Sequence, residues 1–75
     1  VLDASYNNMT GVPAEIGQLS KLESLNLSNN KITALPNEIK NLQNNLKLLD
    51  LTGNDLSGEQ VANLRLALPT TTVIF

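Results

Sequence analysis

Apolar residues along this chain keep a repeating rhythm. An apolar–polar–apolar triplet occurs at Leu2-Asp3-Ala4, Leu25-Asn26-Leu27 and Leu49-Asp50-Leu51. Three residues after each triplet stands an asparagine (Asn7, Asn30, Asn54), and two further on another apolar residue (Met9, Ile32, Leu56). The asparagines are spaced 23 and then 24 residues apart. Alternation within a triplet is what a strand with one buried face requires. After the asparagine the apolar positions recur every three or four residues, at Ile32, Leu35, Ile39 and Leu42. All can point into one interior if the chain curls once per repeat, and a fixed period in this range marks a solenoid.

Pro13 and Pro36 suit a turn or a first helical position, where the missing N–H costs nothing. Residues 14–19 and 37–42 are therefore expected as short helical or 3₁₀ turns behind the strands. After Leu56 the rhythm changes. Ser57-Gly58-Glu59-Gln60 reads as a capping box, so a true helix is expected over 58–68, with Val61, Leu64 and Leu68 on one face. Leu66 falls off that stripe and is expected to pack beside Ala62. Pro69 ends the helix. Residues 72–75 are rich in β-branched side chains and read as a final strand, with Val73 and Phe75 at the inward positions of Leu49 and Leu51.

The pattern L-x-x-L-x-L-x-x-N-x-[LI]-x-x-L-P-x-x-I-x-x-L resembles the leucine-rich repeat family, in the 23-residue class common in bacterial and plant intracellular members. Residues 22–42 match at every signature position; the first unit departs with Ala4, Met9 and Val12. The resemblance implies an α/β solenoid. A short curved parallel sheet would form the concave face, 3₁₀ or irregular turns the convex face, and an α-helix the C-terminal cap. The units are approximately 1–21, 22–45 and 46–68, read as one domain over 1–75. Asn7, Asn30 and Asn54 would form the family's asparagine ladder. The physical reason is independent: where the chain leaves the sheet, backbone groups need partners, and an amide supplies two donors and an acceptor.

Composition narrows the chemistry. The 75 residues contain no Cys and no His, which removes disulfides, thiolate nucleophiles and the usual general base near neutral pH. Net charge is −2 with acids and bases scattered, so no basic patch for nucleic acid or an anionic membrane arises. No apolar run approaches a membrane span. Neither a phosphate loop nor a metal-ligand spacing is present. We expect no enzyme activity, cofactor or metal. Asn8-Met9-Thr10 and Asn26-Leu27-Ser28 match the glycosylation sequon; the second follows from the repeat consensus, and both are read as coincidence. The lack of cysteine leans toward a cytoplasmic or bacterial context. The chain begins at Val1, inside a repeat, and reads as a piece of something longer.

In such an architecture the outward side chain of each strand faces a partner. The outward positions stack into columns: Val1, Ser24, Leu48 and Thr72; Asp3, Asn26, Asp50 and Ile74; Ser5, Ser28 and Thr52; and, beyond, Tyr6, Asn29 and Gly53. Asp3, Ser5, Tyr6, Ser24, Asn26, Ser28, Leu48, Asp50 and Thr52 are the expected partner-binding residues. Asp3 and Asp50 should lie roughly 9 to 10 Å apart, two strand spacings, which suits a solvated face better than paired acid–base catalysts. The first functional reading is a protein–protein interaction module for a polar or basic protein or peptide. The others are a structural C-terminal fragment closing a longer array, and the recognition part of an effector enzyme whose catalytic domain is absent. The edge strand at residues 2–4 is unprotected and could support self-association.

Overall fold

The structure, a computed structural model, describes residues 2–75. The order of elements is β1 (Leu2–Asp3), a 3₁₀ helix η1 (Ala14–Gln18), β2 (Ser24–Asn26), a second 3₁₀ helix η2 (Asn37–Leu42), β3 (Leu48–Asp50), α1 (Gly58–Ala67) and β4 (Thr72–Ile74). The strands form one parallel sheet in chain order. Its register aligns Leu2 with Leu25, Leu25 with Leu49, and Leu49 with Val73. Parallel neighbours need a crossover between them, and here each crossover is a single turn of the solenoid.

Pro13 and Pro36 stand immediately before the 3₁₀ helices in extended backbone. Their carbonyls accept from the Ile16 and Ile39 N–H groups, each at 3.1 Å, so proline starts the turn by fixing φ while giving up only a donor the turn does not use. The helix α1 begins at a Ser57 cap, whose Oγ accepts from the Gln60 N–H at 3.3 Å.

The core lies between the sheet and the 3₁₀ and α elements. It is built of leucine and isoleucine, among them Leu25, Leu27, Ile32, Leu42, Leu49, Leu51, Leu64 and Leu68. At the first turn the same repeat positions are open: Leu2 and Leu19, aligned with buried Leu25 and Leu42, are exposed.

Two apolar side chains at the C-terminal side are open to solvent. Leu66, expected beside Ala62, is 81% exposed, because the helical stripe that reaches the core runs through Leu64 and Leu68. Phe75 follows the Asp50–Ile74 pair in line with Leu51, but it is 39% exposed where Leu51 is buried. It lies past the end of β4 and is exposed, and no described element covers that side of the sheet. The Arg65 guanidinium stacks on its ring instead, 5.2 Å from the centroid, a cation–π contact.

Candidate functional site

The outward face of the sheet is assembled by the register. Asp3, Asn26, Asp50 and Ile74 stand side by side on successive strands, and Ser24, Leu48 and Thr72 form the neighbouring column. Val1, expected at the head of that second column, lies outside the described residues. Leu48 is 37% and Ile74 42% exposed. Asp3 is exposed, while Ser24, Asn26 and Asp50 are half-buried.

A turn at the end of β1, β2 and β3 joins the Asp3 column to the Ser5 column. Asp3 Oδ1 accepts from the Ser5 N–H at 3.0 Å and from the Ser5 hydroxyl at 2.6 Å. Asn26 Oδ1 accepts from the Ser28 N–H at 3.0 Å and its hydroxyl at 2.7 Å. Asp50 Oδ1 accepts from the Thr52 N–H at 3.0 Å. Such short polar side chains bond the backbone two residues on and hold a tight turn. The Ser5 hydroxyl, and after it the Ser5 N–H, hold the Asp3 carboxyl below the ordinary carboxylate range, so it stays ionised near neutral pH.

Ser28, expected on the partner-binding face, is nearly buried. It is only 7% exposed, and its hydroxyl hydrogen is donated to Asn26 Oδ1. Flanked by a turn on either side, it shows little surface on the outward face. Sequence reasoning also left Ile74 out of the partner-binding set, although the same period placed it in the Asp50 column. The recurring signal for the turns was legible: Asp/Asn-x-Ser/Thr appears at residues 3–5, 26–28 and 50–52.

Next along, the chain turns through the left-handed region at three equivalent positions: Tyr6 with φ 58°, Asn29 with φ 58° and Gly53 with φ 77°. Glycine and asparagine tolerate this region; a bulky residue does so at a cost. Tyr6 is 77% exposed there, so its ring projects from the rim of the sheet. The asparagines follow one residue later. Asn30 Oδ1 accepts from the Asn7 and Met9 N–H groups at 2.9 and 3.0 Å, and its amide donates to the Ala4 and Leu27 carbonyls at 3.0 and 2.9 Å. Asn54 repeats this one turn on, accepting from Ile32 N–H at 3.0 Å and donating to Leu27 and Leu51 at 2.9 and 3.0 Å. Asn7, at the exposed first turn, donates to Ala4 at 2.8 Å. These bonds fix the height of the turns and so the geometry of the outward columns.

Among the described residues, no three His, Cys, Asp or Glu side chains gather as metal ligands would. No helix among them is long and apolar enough to cross a membrane.

Comparison with known proteins agrees with this architecture. The family described as leucine rich repeat matches residues 1–56. A leucine-rich repeat and fibronectin type-III domain-containing protein 4 from Rattus norvegicus is 47% identical over 57 residues, covering 75% of this chain and 9% of the relative. A protein of Schizosaccharomyces pombe named adenylate cyclase is 46% identical over 56 residues, again 75% of this chain but 3% of the relative. A solved leucine-rich-repeat protein of Leptospira interrogans superposes with a TM-score of 0.93 at 41% identity, over 97% of this chain and 18% of that one. The chain thus spans less than a tenth of the length of these curated relatives.

Proposed function

This chain belongs to the leucine-rich repeat family, and from that premise we propose that it is a protein-interaction module binding through the outward face of its four strands. The observation that carries this reading is the juxtaposition on that face of carboxylates and open aliphatic side chains. Asp3 and Asp50 lie in one column with Ile74, and Leu48 stands in the next. None of the outward strand positions 3, 24, 26, 48, 50, 72 and 74 carries a cation. The complementary partner is a protein or peptide surface that presents a lysine or arginine beside an aliphatic residue. Charge complementarity of this kind sets specificity and association rate more than raw affinity. Tyr6 extends the face at its rim, and exposed aromatics are the usual anchors of such contacts. The module itself is read as non-catalytic.

Selection against a displayed peptide library tests this. Retained sequences should combine a basic and an aliphatic residue. Asp50→Asn should weaken their retention without moving the urea midpoint, since Asn26 makes the same turn bond as Asp50. Retention indifferent to both Asp50→Asn and Leu48→Ser would reject the strand face as the site.

The exposure of Leu2 and Leu19 favours a second reading, in which the chain is the closing part of a longer array or associates with itself at β1. Light scattering across a concentration series separates these. A constant monomer mass speaks against self-association, and a rising mass supports it.

A further inference from the structure

On the far side of the core from the sheet, η1 and η2 close tightly because position 17 is glycine. A Cβ there would meet the Glu38 carbonyl oxygen at 2.8 Å and the Glu38 Cβ at 2.9 Å. One repeat later the same position is Lys40, and η2 and α1 stand apart. Between them opens a cleft of about 160 Å³. Its floor is Leu35, Ile39 and Leu64, and its lips are Lys40, Gln60 and Asn63. Ile39 and Leu64 belong to the core and are nearly buried, so the apolar surface of the cleft is completed by Leu35, Pro36 and Ala67. Lys40 is the one charged residue lining the cleft; Glu38, two residues before it, and Glu59, beside Gln60, do not line it.

Size and chemistry together limit what fits. A space of roughly 150 Å³ is large enough for a benzene-sized group. An aromatic or large aliphatic side chain therefore fits the space, and covering the exposed parts of Leu35, Pro36 and Ala67 favours its entry. At the lip an ammonium and two side-chain amides can meet an anionic oxygen acceptor. We propose that this cleft is a second binding site, seating one apolar side chain of a partner protein carried beside a carboxylate. It lies across the core from the strand face, so both sites can be filled at once.

Titration of the ¹⁵N-labelled chain with the dipeptide acetyl-Phe-Asp-amide tests the assignment. Saturable amide shifts should fall on residues 35–40 and 60–67. Acetyl-Phe-Lys-amide should bind about fivefold more weakly, the scale of one exposed ion pair. Lys40→Glu, at an exposed position, should reverse that preference, and Asn63→Trp should plug the cleft and abolish saturation by either dipeptide. Shifts that do not saturate, shifts centred on the strands, or an unchanged preference in Lys40→Glu would overturn the proposal.

Discussion

The Asn30 side chain donates to the carbonyl oxygen of Ala4 at 3.0 Å, 26 residues back along the chain. The same amide serves Leu27, and its oxygen serves the Asn7 and Met9 N–H groups. Asn30→Ala would strip several largely buried backbone groups of their partners at once. With roughly 1–3 kcal/mol for a buried group left unsatisfied, we expect a loss of about 3 kcal/mol. Asn29→Ala should cost about 1 kcal/mol, the penalty for alanine in the left-handed region. Urea melts of the two variants check this, and equal midpoints would contradict the bridging role of Asn30.

Gly17 is expected to resist enlargement. Gly17→Ala places a Cβ within 3 Å of the Glu38 backbone oxygen, and overpacking of this kind costs roughly 1–3 kcal/mol. Gly11→Ala is the control, because nothing lies within 4 Å of a Cβ there. Thermal melts should separate the two; a Gly17→Ala variant as stable as Gly11→Ala would show that η1 and η2 can part freely.

Tyr6 occupies a backbone conformation that its counterparts fill with Asn29 and Gly53. Since its ring is mostly exposed, little packing offsets the strain. Tyr6→Asn should therefore stabilise the fold by about 0.5–1 kcal/mol while weakening capture of a strand-face partner. A variant that is stabilised and binds as before would remove Tyr6 from the interface.

The Asp3–Ser5 turn makes a pH prediction. The Asp3 carboxyl titrates below its ordinary value of 3.8, held there first by the Ser5 hydroxyl and then by the Ser5 N–H. A carboxyl lowered in the folded state stabilises above its unfolded value, and the benefit disappears as pH falls through the folded value. The contribution is thus complete at neutral pH and fades below 3.8. Side-chain NMR titration should place the midpoint under that value, and Ser5→Ala should raise it. A midpoint indifferent to Ser5→Ala would mean that the hydroxyl does not hold the charge.

Much of the architecture was legible in the chain because each repeat states it again. Leu25-Asn26-Leu27 and Leu49-Asp50-Leu51 carry the strand alternation, Pro13 and Pro36 start the back turns, and Ser57 with Gln60 marks the helix. The columns on the strand face followed from the period, since a shift of 23 or 24 residues returns each side chain to its place. The openness of individual members did not follow. Leu66 lies off the buried stripe of α1 and Phe75 in line with buried Leu51, yet both are open to solvent.

The sequence by itself determined the coil: the number of turns, the parallel pairing and the residues that point inward. The reason is local, because a single repeat cannot bury its apolar side and only stacking in register can. Tertiary structure alone decided what each turn shows to a partner. Ser5, Ser28 and Thr52 share one repeat position, yet they are half-buried, buried and exposed in turn. Likewise Gly17 and Lys40 share a position, and one closes a contact while the other lines a cleft. Burial is a property of the neighbours stacked on either side, and those differ from turn to turn even where the repeat does not.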